Sequence, residues 1–271
     1  MKRVQSLGLT TELALLATRG TVEDRGDYLV VRTPDDPGYY YGNLLVLPAA
    51  PQVGEVAFWT RRFGDELGGD PAIRHVTFLW DGVSGDTGAA DELRAAGFTI
   101  EQTETMVATA VTAAAPALAL ARPALPIRQL APDEVLAIAD LAWLVADRHD
   151  EVYRRFLHRR ARWHRDLVVR GLARFWGAHD GDALVASCGL VTLVEQARSR
   201  YQDVQTAEPY RGRGLASALL AAAQHEAAGR GLPEVVIVAQ PASLAARVYQ
   251  RAGFRSVERT ASACRYPTDT T

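Results

Sequence analysis

The stretch Arg211-Gly212-Arg213-Gly214 sets two cations and two glycines where a helical pattern begins. A helix N-terminus leaves backbone N–H groups without partners, and with the macrodipole these attract anions, phosphate above all. Glycine lets a pyrophosphate reach them because no Cβ stands in the way. The plainer alternative is a solvated basic turn whose glycines only shape the loop, since short Gly-rich motifs are common by chance. Context narrows the chemistry. No Gly-x-x-x-x-Gly-Lys-Ser/Thr segment occurs. The glycines follow a hairpin series instead of the first strand of a βαβ unit, and the third position of a dinucleotide fingerprint is Ser217.

The elements that must hold this turn can be read on both sides of it. Upstream, "IRQL" reads as a strand, Pro132-Asp133-Glu134 opens a helix, and a second helix runs from about Asp150 to Gly171. "ARFWGAHDGDALVASCGLVTLV" predicts a hairpin turning at Asp180-Gly181, and "SRYQDVQT" a third strand. Downstream come a helix with Leu215, Leu219, Ala222 and Ala223 on one face, a buried strand "EVVIVAQ", a short helix ending at Gly253, and a last strand. The order is β-α-α-β-β-β-α-β-α-β, a mixed sheet flanked by helices.

The first half echoes this ending. Ala96-Gly97-Phe98 and Ala252-Gly253-Phe254 occupy the same place after a short helix. "YLVVRTP", "GNLLVLPA" and "RHVTFLW" read as strands and "EVAFWTRRFGDEL" as an amphipathic helix. We read a divergent internal repeat. Between the halves, Thr112 to Pro126 is nearly all Ala, Leu and Pro, with Pro116, Pro123 and Pro126 breaking any helix. The expected domains are therefore 1–111, a linker at 112–126, and 127–271.

Composition sets the outer bounds. The chain has 271 residues, 48% hydrophobic and 23% charged, with net charge −2. That is ordinary for a globular protein and argues against a nucleic-acid partner. Cys188 and Cys264 lie far apart in no metal-ligand spacing, and His149, His158 and His164 share none either, so no metal is expected. The apolar run after the basic N-terminus is broken by Thr10, Thr11 and Glu12, a poor signal peptide, and no run is long enough for a membrane span. The expectation is a cytoplasmic protein with no membrane partner.

"RGRGLA", Arg211 to Ala216, resembles the acetyl-CoA signature Arg/Gln-x-x-Gly-x-Gly/Ala of the GNAT acetyltransferases. Pro209-Tyr210 ahead of it and "ARVYQRAGF" after it are similar to the same family. The resemblance covers roughly residues 127 to 271. It implies tandem GNAT-like domains of mixed α/β class, each a twisted mixed sheet flanked by helices. The first is a degenerate copy without an Arg-Gly-Arg-Gly equivalent. By the resemblance, acetyl-CoA is the cosubstrate, Val204, Gln205 and Thr206 line its pantetheine arm, and Arg211, Gly212, Arg213, Gly214, Leu215 and Ala216 hold its pyrophosphate. A main-chain N–H of the same strand stabilises the developing oxyanion.

The resemblance also implies catalytic residues. Tyr249 stands where the family keeps a general acid for the departing thiolate; the alternative is a core aromatic. The first half has Leu93 there, which cannot donate a proton. The attacking amine must be neutral, and Asp203 is the first candidate to help remove its proton, with Glu195 and Tyr201 behind it; an outward strand carboxylate is the plainer reading of Asp203. Where the family often has a CoA-bonding Asn, this chain has Ala242 beside Ser243.

Two further features stand apart. Arg154, Arg155, Arg159, Arg160, Arg162, Arg165 and Arg170 crowd one helix, as an acceptor-side surface or a solvated face. Tyr39, Tyr40 and Tyr41 read as edge-strand residues, or as the lining of a groove. The leading function is acetyl-CoA-dependent acetyl transfer to a primary amine of a small molecule or peptide by direct attack, with a homodimer as the candidate assembly. The alternative is a non-catalytic acyl-CoA sensor.

Overall fold

The computed structural model describes residues 4–109, 125–232 and 234–267. The expected linker at 112–126 lies outside them except for its last two residues. In chain order the elements are α1 (Leu7–Leu16), β1 (Thr21–Asp24), β2 (Leu29–Arg32), β3 (Leu44–Leu47), α2 (Val56–Leu67), β4 (Val76–Trp80), α3 (Ala90–Ala95) and β5 (Thr99–Thr109). Then follow β6 (Ile127–Gln129), α4 (Ile138–Val145), α5 (Glu151–Val169), β7 (Ala173–Asp180), β8 (Ala183–Leu193) and β9 (Arg198–Thr206). Last come α6 (Leu215–Gly229), β10 (Glu234–Ala239), α7 (Leu244–Arg251) and β11 (Arg255–Arg265).

The chain forms two compact units. One comprises Met1–Thr105 with Val257–Thr271, the other Met106–Ser256. This differs from the expected boundary, which kept 127–271 together. The reason is strand pairing: β11 pairs antiparallel with β4, from Ser262↔Leu79 to Arg265↔Val76. A sheet strand goes with the neighbour that takes its hydrogen bonds, wherever it lies in the sequence.

In the first unit the strand order is β1-β2-β3-β4-β11-β5, with β5 contributing Thr99–Thr105. β3 and β4 are parallel, Leu45↔Phe78 to Leu47↔Trp80, and α2 makes the crossover. α2 forms because Val56, Trp59, Phe63 and Leu67 recur at helical spacing, and all four are buried. α3 ends in a Schellman cap: the Phe98 N–H donates to Leu93 O and Gly97 N–H to Arg94 O, both at 3.0 Å. Gly97 supplies the positive φ, 83°, that this cap needs. α1 escaped the sequence reading. Its N-cap is Ser6, whose hydroxyl accepts from Leu9 N–H. Glu258 of β11 takes Ser6 Oγ–H at 2.8 Å and Gly8 N–H at 2.6 Å. The tyrosine run is not strand: Tyr40–Gly42 is a short 3-10 turn.

In the second unit the order is β5-β10-β9-β8-β7-β6, with β5 contributing Met106–Thr109. The β7–β8 hairpin turns as expected at Asp180-Gly181, where Gly181 has φ 58°. α6 covers one face with Leu215, Leu219, Leu220, Ala223 and Ala227, which share a core with Tyr201, Ile237 and Tyr249. Met106 and Ala108 of β5 belong to that core. α4 and α5 pack together through Ala139, Leu157 and Ala161. α7 is capped by Ser243, whose hydroxyl accepts from Ala246 N–H at 3.1 Å. It ends in the same motif as α3: Phe254 N–H donates to Tyr249 O at 3.0 Å and Gly253 N–H to Gln250 O at 3.1 Å. Both units thus contain a parallel pair bridged by a helix, then a short helix closed by a glycine cap.

Candidate active site

β9 begins as an ordinary interior strand and then changes. It pairs parallel with β10 only from Arg198↔Glu234 to Arg200↔Val236. Beyond that register, among the described residues, Tyr201–Thr206 pair with β8 alone while β10 runs on to Ala239. The strands therefore splay, and one edge of β9 carries main-chain groups that no strand takes. Gln202 to Thr206 are half-buried there, so Val204, Gln205 and Thr206 are open to a ligand.

The same segment holds a β-bulge. Ser187 pairs with Gln205 and Gly189 with Gln202, so one residue of β8 faces two of β9. The surplus falls at Asp203, whose backbone is left-handed at φ 47°. Bulges re-aim side chains and often sit beside active sites. Here the bulge turns the Asp203 carboxylate toward α5. Arg160 Nη2 lies 2.6 Å from Oδ1 and His164 Nδ1 lies 2.9 Å from Oδ2. Burial pushes this carboxyl up, but Arg160 and then His164 outweigh it and hold it at about 2.

Arg211 to Ala216 lie just past the end of β9. Gly212 has φ 73° and Gly214 φ 77°, both in the region that favours glycine. Gly214 is the N-cap of α6 and supplies no side chain to the first N–H groups, and the first turn holds no acidic residue. A Cβ at Gly212 would meet no protein atom within 4 Å. The space is open to an anion at an uncapped helix N-terminus. Arg211 Nε–H donates to Thr206 O at 3.2 Å, tying the loop to the splayed strand. The Arg213 guanidinium lies 5.2 Å from the centroid of the Tyr210 ring, and the Tyr210 hydroxyl donates to Asp180 at 2.5 Å. Both arginines are exposed.

Tyr249 projects from α7 into the core and is 6% exposed. Burial first, then the nearby Cys188 thiol, pushes its phenol above the ordinary range, so it stays protonated at neutral pH. Cys188 is the residue of β8 opposite the bulge. Among the described residues no group hydrogen-bonds the Tyr249 hydroxyl, whereas the Tyr201 hydroxyl donates to Leu220 O at 2.9 Å.

The other candidates have different surroundings. Tyr201 is engaged with α6. Glu195 is exposed in a turn before β9, at the opposite end of the strand from the bulge. Asp203, expected as a base facing the amine, has both oxygens paired and its proton affinity lowered, which suits holding charge better than taking protons. Ser243 is spent on capping α7. Ala242 is left-handed at φ 57°, a conformation that Asn tolerates better than Ala. Sequence reasoning missed His164: no local pattern links it to Asp203, because the bulge that joins them leaves no signature in residue type. Among the described residues no cluster of His, Cys, Asp or Glu is arranged to hold a metal, and no helix is long and apolar enough to cross a membrane.

A parallel strand pair that splays toward a glycine-lined helix N-terminus is the architecture of the GNAT fold. Residues 171–256 match the family model described as the acetyltransferase (GNAT) domain. Three solved structures resemble the chain over most of its length. One is a functionally unknown conserved protein from Staphylococcus epidermidis, 12% identical, TM-score 0.73, covering 92% of this chain and 95% of that one. Another is a GCN5-related N-acetyltransferase from Kribbella flavida, 14% identical, TM-score 0.63, covering 98% and 97%. The third is a tandem GNAT protein from the clavulanic acid biosynthesis pathway, 17% identical, TM-score 0.55, covering 93% and 85%. At these identities the likeness is one of fold, and the expected tandem GNAT-like class is the one the structure has. No curated protein sequence matches the chain.

Proposed function

We propose that the second unit is an acetyl-CoA-dependent N-acetyltransferase acting on a primary amine of a small molecule or peptide by direct attack. The observation that carries the reading is the run of three features along one stretch of chain. The splayed edge of β9 leads through the bulge at Asp203 into the open cradle at Gly212-Gly214. Each has a ligand part to match. Exposed main-chain groups of Val204 to Thr206 suit a pantetheine arm, and the uncapped N–H groups of α6 with Arg211 and Arg213 suit a pyrophosphate. Acetyl-CoA supplies the activated acetyl group as a thioester.

The chain's own residues then have defined tasks. Splayed β9 presents N–H groups where charge develops on the carbonyl oxygen. Tyr249 offers a hydroxyl proton to the leaving sulfur, either as a hydrogen bond or as a full transfer. Neither task needs Asp203 as a base: the acceptor binds as the free amine, a small fraction at neutral pH for an alkyl amine with pKa near 10, and as the C–S bond breaks the surplus proton on the attacking nitrogen leaves to water, which also reprotonates Tyr249 where its proton has gone to the sulfur.

The first unit fits a divergent copy without chemistry. Between β3 and α2 two of its main-chain donors are taken by its own carboxylates. Gln52 N–H donates to Glu55 at 2.8 Å and Gly54 N–H to Glu92 at 2.6 Å. Leu93 stands where the matching glycine cap places Tyr249. The test is a thiol-release assay with acetyl-CoA across a panel of primary amines. Amine-dependent release supports the transferase. Tight acetyl-CoA binding with no release for any amine favours an acyl-CoA sensor instead.

A further inference from the structure

Two unfavourable features meet at Asp203. Its left-handed backbone is one that a Cβ disfavours. Its carboxylate, 9% exposed, is a charge withdrawn from water. Both costs are borne at the point where the strand leaves its neighbour. The carboxylate is gripped from α5 by two residues one helical turn apart, Arg160 on Oδ1 and His164 on Oδ2. His164 is itself fully buried, its ring 5.2 Å from Trp163 and 5.0 Å from Phe175 between centroids. From the other side, the Ser187 hydroxyl of β8 donates to the Asp203 carbonyl at 3.1 Å.

We propose that Arg160 and His164 are positioning residues: through Asp203 they pin the β9 bulge, and the pinned bulge aims the strand's main-chain N–H groups at the carbonyl of the bound thioester. The inference rests on the acetyl-CoA reading above. A bulge is a surplus of one residue, and sliding it by one position along β9 would reverse the facing of the residues it passes. Backbone pairing with β8 does little to prevent that slide. A carboxylate held at both oxygens does prevent it, because the pairing is specific to one position. Packing alone does not account for the cluster, since apolar residues of similar volume often replace buried ion pairs at no loss of stability. A base role does not account for it either, since Arg160 and His164 lower the proton affinity that a base needs and the carboxylate is only 9% exposed.

The test uses the full chain and three variants, His164→Leu, His164→Asn and Arg160→Met. Difference infrared spectroscopy with carbonyl-labelled acetyl-CoA reads how strongly the protein polarises the thioester. In the unsubstituted protein the bound carbonyl should absorb below its frequency in water. His164→Leu and Arg160→Met should return it toward the water value while acetyl-CoA affinity stays within about threefold and turnover falls on the order of 10²-fold. His164→Asn keeps a donor where Nδ1 lies and should restore most of the shift, which a purely space-filling His164 would not explain. Amide exchange of Gln202 to Thr206 in the unliganded protein should quicken in the Leu and Met variants only. Should His164→Leu not fold, the half-exposed Arg160→Met gives the same readouts. An unchanged carbonyl frequency in the folded variants overturns the proposal. A chain that binds no acetyl-CoA refutes the function instead, and then unchanged exchange in the variants overturns the pinning separately.

Discussion

Replacing Gly212 by alanine separates strain from ligand contact. The new methyl meets no protein atom within 4 Å, so packing adds no cost. What remains is the left-handed backbone, φ 73°, at roughly 1–2 kcal/mol for a residue with a Cβ. A matched control exists in the same unit. Gly171 closes α5 with φ 72° and also has nothing within 4 Å, so Gly171→Ala should lose the same stability, several degrees of Tm for a chain of this size. The two variants part company on binding. If a pyrophosphate sits in the cradle, the Gly212 methyl occupies space the ligand needs and displaces at least one charge-assisted hydrogen bond. Such a bond is worth about 1.5–3 kcal/mol, hence a loss of affinity on the order of 10- to 100-fold. Titration calorimetry with acetyl-CoA measures it. The truncated thioester acetyl-pantetheine, which has no pyrophosphate, should bind both variants alike. Equal acetyl-CoA affinity for Gly212→Ala and Gly171→Ala would refute the cradle, because strain would then be the whole effect.

Four more outcomes follow from the same geometry. Tyr249→Phe keeps the ring and removes a hydroxyl that no described residue bonds, so thermal melting should barely move while turnover drops about 10²–10⁴-fold at nearly constant acetyl-CoA affinity. Asp203 is held at about 2 against an ordinary 3.8. A depressed carboxyl gives stability that is complete above the unfolded pKa and lost as pH falls through the folded one, so acid unfolding between about pH 4 and 2 should be less steep in Asp203→Asn, and the pH–rate profile near neutrality should show no Asp203 inflection. Ala242→Gly relieves a left-handed alanine on an exposed loop and should raise stability by about 1 kcal/mol in chemical denaturation; a loss would mean that the loop relaxes differently. A fragment starting at Ile127 lacks Met106 and Ala108 of the second unit's core, so it should melt lower than one starting at Thr99.

What could be read from the sequence was whatever a residue type alone demands. Gly253 was legible as the glycine that closes a helix, and the structure has it there at φ 92°. α2 was legible because its apolar residues form one stripe. α1 was not: "LGLTTELALL" is apolar nearly all round and buried on most sides, so it shows no stripe, and the carboxylate at its N-terminus comes from Glu258, far along the chain. The tyrosine run looked like a strand because aromatic residues favour strands. Asn43 decided otherwise: its amide donates to Thr33 Oγ1, Asp36 O and Tyr39 O, closing a turn over the whole segment. The Asp203 cluster was illegible for a related reason. Arg160 and His164 looked like two members of a polar helix face, and only the bulge, which a non-glycine residue conceals, brings them to one carboxylate.

The division of the chain bears on how each unit completes its core. After α3 the strand β5 passes its last residues, Met106–Thr109, to the second unit, and after α7 the strand β11 gives Val257 onward to the first. Each unit therefore completes its core with residues that follow the other's glycine-capped helix. Met106 and Ala108 pack with Tyr201 and Tyr249; Ala261 and Ala263 pack with Phe78 and Leu93. A strand is retained for its apolar face and its main-chain hydrogen bonds, neither of which depends on a cradle or a proton donor. Substitutions that disrupt β5 would unmake the core in which Tyr249 is held. The requirement on β5 is thus set by packing and main-chain pairing, apart from any requirement of chemistry.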